Sequence, residues 1–230
     1  MKNMKCIVVA MEKEAAYLLA HSQVKKTIEA GFAKIKECQI ASTPYLLVVS
    51  GIGKAFATSA VTSVLNLYPS TELILNIGVA GSLDSKAVPL FSAVVATSLV
   101  EHDLDTSPIG DPVGLVSGIN LVNLPVDVSA KEGLVSASHS LGIEPILGVI
   151  SSGDTFYADQ ANKKRIHATF HSLCSDMESA PMAQIAYSFH KPFACLRLIS
   201  DADNASEEYA KNAEKAASIA GKIAAAFLQL

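Results

Sequence analysis

The chain has 230 residues, half of them hydrophobic and only 17% charged, with a formal net charge of −4. That length suits one α/β domain spanning residues 1–230 around a single core, and no apolar run approaches the roughly eighteen residues of a membrane helix. Sixteen lysines and two arginines leave no basic stripe for a nucleic-acid backbone, so the expected partner is a small neutral or cationic molecule.

The apolar run Cys6 to Met11 meets Glu12 and Glu14 directly, which is wrong for a signal peptide, and a cytoplasmic location is expected. Cys6, Cys38, Cys174 and Cys195 lack C-x-x-C spacing and sit mostly in apolar runs, as reduced, buried thiols do. The low charge fraction is also compatible with a face covered by another subunit.

In chain order, strands are predicted over Lys5–Met11, Phe32–Ile40, Tyr45–Ser50, Glu72–Gly78, Phe91–Leu99, Ile146–Ser151 and Phe193–Ser200. Helices are predicted over Glu14–His21, Ala55–Tyr68, Ala130–Ser140, Asp159–Phe170, Ser179–Phe189 and Glu207–Leu230. This alternation implies a sheet covered by helices on both faces. The stretch from His102 to Pro125, rich in Gly, Pro and Asp, is long enough to carry function. No internal repeat or low-complexity segment interrupts the pattern.

Polar and glycine-rich motifs fall at the strand ends, where an open α/β sheet gathers its ligand contacts. Gly51-Ile52-Gly53-Lys54 has neither the spacing nor the Ser/Thr of a phosphate loop, and reads as a tight turn into a helix or a close backbone approach to a ligand. Gly78-Val79-Ala80-Gly81 admits the same two readings. Asp176-Met177-Glu178-Ser179 is either a helix cap or a polar ligand grip, and Arg197 with Asp201 is either a plain ion pair or part of a site. Asp201-Ala202-Asp203-Asn204 fails as a calcium loop at Ala205 and Ser206, and the histidines lack metal-ligand spacing, so no metal is expected. His102, beside Asp103 and Asp105, reads as part of a solvated turn.

Taken in order, these blocks resemble the methylthioadenosine/S-adenosylhomocysteine nucleosidases of the purine nucleoside phosphorylase superfamily. The matching pieces are Ala10-Met11-Glu12-Lys13-Glu14, Ser50 to Lys54, Asn76 to Gly81, His102-Asp103-Leu104-Asp105, Ser152 to Phe156, Asp176-Met177-Glu178 and Arg197 to Asp201. The resemblance implies a three-layer α/β/α sandwich with a central mixed twisted sheet, nucleoside phosphorylase-like. It also implies hydrolysis of an N-glycosidic bond without a cofactor.

By that resemblance Glu178 holds the ribose hydroxyls, with Met177 packed under the sugar and Phe156 stacked on adenine. Met11, Ile52, Val79 and Asp176 complete the binding set. Asp201, oriented by Ser200, protonates the departing purine, and Glu14 activates the water that Arg197 helps to place. A homodimer is implied, with the His102–Pro125 region near the neighbouring subunit's site.

Phosphorolysis, the main rival within this fold, needs a cluster of cations to hold the anion. Arg165 falls in an expected surface helix beside Lys163 and Lys164, leaving Arg197, with Lys54 as a possible assistant. A non-catalytic nucleoside-binding protein would be expected to lack the acid or the base, and both are present. Three departures stand out: Val79 is at a position often occupied by a small hydroxyl residue that contacts the ribose or water, and Ile109 stands where an aromatic often follows the His-Asp loop. The segment from Ala202 to Glu208 is shorter than usual and lacks a closing Phe, for which Tyr209 is the substitute. Aminofutalosine or another 5′-modified adenosine is therefore the alternative substrate.

Overall fold

The computed structural model describes residues 4–230, so residues 1–3 of the expected domain lie outside the described residues. Ten strands and six α-helices follow one another as β1 (Met4–Val9), α1 (Glu12–Ala20), β2 (Gln23–Ala30), β3 (Ala33–Ile40), β4 (Thr43–Val49), α2 (Lys54–Leu67), β5 (Thr71–Ser82) and β6 (Ala93–Glu101). There follow β7 (Leu124–Pro125), α3 (Val128–Ser140), β8 (Ile146–Ser152), α4 (Gln160–Phe170), β9 (Ser172–Asp176), α5 (Ser179–Ser188), β10 (Phe193–Asp201) and α6 (Ala205–Phe227). All predicted helices and strands are present; β2, β7 and β9 are additional, and β5 runs on through the Gly78–Gly81 segment.

Strand alternation explains the layers. In β1, Cys6 and Val8 enter one core with α2 and α5, while Ile7 and Val9 enter the other with α1, α3 and α6. A strand segment buried on both faces must be apolar, as β1 is from Cys6 to Val9. Helix α6 fits close to the sheet because its inner face is small: Ala213, Ala216, Ala217, Ala220 and Ala224 are buried. A Cβ on Gly221 would lie 2.7 Å from that of Tyr17.

The sheet is mixed and partly rolled up. Strands β4, β1, β5 and β10 are parallel, β6, β8 and β9 form a second parallel set, and the sets meet antiparallel at β10–β6 and β5–β9. The ring β5–β10–β6–β8–β9 therefore closes on itself, and β1, β4, β3 and β2 extend it as an open wing. This closure sharpens the expected sandwich, and it places the site: Gly81 of β5 pairs with Asp201 of β10 on one side and Ser175 of β9 on the other. No helix among the described residues is long and apolar enough to cross a membrane.

Candidate active site

A cavity of about 430 Å³ opens at this junction, within the size range of small-molecule sites. Its lining includes ten of the eleven residues singled out from the sequence: Met11, Glu14, Ile52, Val79, Phe156, Asp176, Met177, Glu178, Ser200 and Asp201. Arg197, the eleventh, lies buried beside it.

Glu14 sits in the first turn of α1, pointing back toward the strand end. Its Oε2 accepts the backbone N–H groups of Ala10 and Met11 at 2.9 and 3.0 Å, and its Oε1 accepts that of Val79 at 3.0 Å. The bond to Met11 closes the capping box at the start of α1, and those to Ala10 and Val79 tie the helix to the chain before it and to β5. Burial nonetheless pushes the carboxyl up from its ordinary value, a shift the Arg197 guanidinium opposes. Only a glycine at 78 leaves room for this arrangement. A Cβ there would lie 2.5 Å from Glu14 Oε1 and 2.6 Å from Arg197 Nη1.

Arg197 resolves two of the open motif readings. Its Nε donates to Asp176 Oδ2 at 2.7 Å, Nη2 donates to the Asn76 side-chain Oδ1, and Nη2 lies 3.9 Å from Glu178 Oε2. The ion pair is therefore with Asp176, not with Asp201. Asp176 is also a cap, accepting the N–H groups of Glu178 and Ser179 at 3.0 Å and the Ser152 hydroxyl. Burial alone would push the Asp176 carboxyl up, but Arg197 and these donors hold it below its ordinary value. Glu178 goes the other way: burial and the neighbouring Asp176 charge push it up to about 7, against the pull of Arg197. The Gly53 N–H donates to Glu178 Oε1 at 3.0 Å, and Gly53 at φ 95° makes that approach in a conformation costly for other residues.

Across the cavity, the Ser200 hydroxyl donates to Asp201 Oδ1 at 2.8 Å. Asp201 Oδ2 is buried with no hydrogen-bond partner among the described residues, and a Cβ on Gly81 would come within 2.7 Å of it. Burial pushes this carboxyl up, opposed by Ser200 and Lys163. Phe156 is no core residue: it is 46% exposed at the cavity edge, its ring 5.6 Å from Tyr209 in an edge-on pair. Tyr209, from α6, also lines the cavity and receives a hydrogen bond from Lys13 Nζ at 2.9 Å.

Three expectations, on Lys54, His102 and Lys163, are overturned. Lys54 is unavailable to an anion, because Glu101 and Asp103 hold its ammonium at 2.8 and 2.9 Å. His102 is not in a solvated turn; its ring is buried beside Tyr157 in space that the missing Gly153 side chain leaves free, with neither nitrogen hydrogen-bonded among the described residues. Lys163 is not on the surface with Lys164 and Arg165 but 2% exposed, lining the cavity. Ile109 is 82% exposed and does not line this cavity. Asn76, Ser152 and Ser206 also belong to the site or its support. Asn76 and Ser152 lie in the motif blocks, whereas Ser206 carries no signal beyond its place after the short loop.

A closed mixed ring flanked by helices, with several carboxyl groups lining one small-molecule cavity at the strand ends, is the frame of a nucleoside-cleaving enzyme. The family model described as the phosphorylase superfamily matches residues 5–229, and the chain belongs to that superfamily. It is 32% identical to the 5′-methylthioadenosine/S-adenosylhomocysteine nucleosidase of Glaesserella parasuis, over 85% of this chain and 84% of the relative. A mutant MTAN of Helicobacter pylori, solved with 5′-methylthioadenosine in its active site, superposes with a TM-score of 0.93 at 27% identity, covering 100% and 99% of the two chains. The futalosine hydrolase of Helicobacter pylori superposes with the same TM-score of 0.93 at 26% identity, covering 99% and 97%.

Proposed function

We propose that this chain is a nucleosidase that hydrolyses the N-glycosidic bond of 5′-methylthioadenosine and S-adenosylhomocysteine, releasing adenine and the thioribose product. The observation that carries this reading is the pair of carboxyls, Glu14 and Asp201, lining one cavity with raised proton affinity. Breaking the bond builds positive charge on the sugar and negative charge on the base. An acid at the purine and a base for water are therefore the two groups the reaction needs.

In this reading Asp201, held by the Ser200 hydroxyl, gives its proton to purine N7. Glu14 takes a proton from water as the water oxygen bonds to the anomeric carbon and the carbon–nitrogen bond to the purine breaks. Glu178 accepts the ribose hydroxyls, Met177 packs under the sugar and Phe156 stacks on adenine. Arg197, through Asp176 and Asn76, keeps the Glu178 side oriented. Water and nucleoside supply every reacting atom, so no cofactor is needed.

Phosphorolysis is disfavoured by charge. Arg197 is committed to Asp176 and Asn76, and a phosphate beside it would meet Glu14, Asp176 and Glu178. In phosphate-free buffer, methylthioadenosine should yield free adenine. Strict dependence on phosphate would overturn hydrolysis.

The alternative is another 5′-modified adenosine such as aminofutalosine. It is favoured by the three-residue link from Asp201 to α6, with Ser206 at the cavity rather than a large side chain. The ratio of kcat/KM for the two substrates decides between them. The same reading takes residues 1–230 as one cytoplasmic nucleosidase domain in a homodimer, with the 102–125 region near the neighbouring subunit's site. Exposed Ile109 and the exposed Phe32–Phe56 pair, rings 4.5 Å apart, support an interface. A monomer by sedimentation at working concentration would contradict it.

A further inference from the structure

Helix α4 buries one face, Lys163, Ile166 and Phe170, at spacings of three and four residues. A lysine on that face is unusual, since lysine is almost never fully buried unless its charge is met. Lys163 is 2% exposed, and its Nζ donates to the carbonyl of Ala202, the residue after Asp201. The same Nζ lies 3.9 Å from Asp201 Oδ2, the oxygen that no other side chain or backbone group in the described residues bonds.

We propose that Lys163 is a positioning residue for Asp201: it anchors the turn that follows the carboxylate and sets its ammonium against the free Oδ2. The proposal rests on Asp201 being the acid. When Asp201 passes its proton to the base, the carboxylate left behind faces a fixed positive charge in a desolvated setting, which favours transfer toward the purine. The other groups facing Asp201 act as follows. Ser200 on β10 donates to Oδ1, and Glu208 on α6 accepts the Ala202 N–H at 2.7 Å and pushes the Asp201 carboxyl up. Gly81 on β5 presents no side chain. Lys163 is thus the cation on the Asp201 side of the cavity.

The tests are Lys163→Gln, which drops the charge but keeps an amide able to donate to Ala202, and Lys163→Met, which drops both. The Asp201 carboxyl is followed by ¹³C NMR in the unliganded protein, assigned against Asp201→Asn, alongside the basic limb of kcat/KM against pH. Loss of the charge should move both readouts to higher pH by about one unit or more, a tenfold change in proton affinity. A merely structural lysine would lower the melting temperature and leave both in place, and that result overturns the proposal.

The wild-type protein offers a check that needs no lysine variant. The Lys163 ammonium resonance should shift as Asp201 titrates and lose that shift in Asp201→Asn; a resonance indifferent to Asp201 refutes the coupling. Failure of the underlying reading looks different. Full turnover in Asp201→Asn would remove Asp201 as the acid, whatever its titration does.

Discussion

Replacing Gly78 by alanine should cripple the enzyme, although strand propensity alone argues the opposite. In a strand interior, alanine is favoured over glycine by about 0.5–1 kcal/mol, because glycine loses more freedom on folding. Here the new methyl would sit 2.5 Å from Glu14 Oε1 and 2.6 Å from Arg197 Nη1, well inside contact distance. Neither side chain can swing aside freely: Glu14 is tied by three N–H donors and Arg197 by Asp176 and Asn76. Relief requires breaking at least one hydrogen bond to a charged group, about 1.5–3 kcal/mol, on top of about 1–3 kcal/mol of overpacking. The net loss of about 2–5 kcal/mol corresponds to a Tm roughly 5–20 °C lower in a chain of this size. Displacing the Glu14 carboxylate by about 1 Å costs on the order of a hundredfold in kcat. In a Glu14→Ala background the same methyl should cost less, because one of the two obstructing atoms is gone. Calorimetry and steady-state kinetics on the four proteins of this cycle test it. Wild-type Tm and kcat in Gly78→Ala, or equal costs in both backgrounds, would refute the reasoning.

Asp201→Asn and Glu14→Gln should each lower kcat by about 10²–10⁴ while the protein remains folded by circular dichroism. Wild-type turnover in either would remove that residue's role. Glu178→Gln should weaken ribose binding yet stabilise the fold at alkaline pH. Because folding raises the Glu178 carboxyl from 4.5 to about 7, the native state keeps the extra proton between those values and loses stability as the pH climbs through them. Gln removes that loss and can still accept the Gly53 N–H. Denaturant unfolding should therefore show a gain of about 1–3 kcal/mol at pH 8 that shrinks toward pH 5; a gain independent of pH would be inconsistent.

The elements most legible in the sequence are those buried on both sides. β1 is apolar from Cys6 to Val9 and β10 from Phe193 to Leu196, as two-faced burial demands, and at or just past their ends lie Glu14 and Asp201, which the cavity brings together. β2 escaped because it is an exposed edge strand, with Lys25, Lys26 and Glu29 where a buried strand would be apolar. β9 is five residues with three polar side chains, too short for its alternation to register. Ring closure depends on pairings between distant segments, such as Gly81 with Ser175, that no local periodicity encodes. Lys163 sits beside Lys164 and Arg165 in a basic run that resembles a surface helix, although its spacing to Ile166 and Phe170 places it on the inner face. Position on the helix, not charge type, decides which face is buried.

The same features that make the site reactive cost stability, and the rolled sheet is what absorbs the cost. Three carboxyls, Glu14, Asp176 and Glu178, gather around the single guanidinium of Arg197, so two of them are pushed up rather than fully compensated. Asp201 keeps one buried oxygen unbonded, and Gly78 and Gly81 surrender side-chain packing in a central strand. In an open sheet edge such a cluster could relax by letting water in or by splaying the strands. Here β5 is held on three sides, by β1, β10 and β9. Local relief would break a closed ladder of backbone hydrogen bonds. Preorganisation of this kind holds the Asp201 and Glu14 carboxyls in place without help from a ligand.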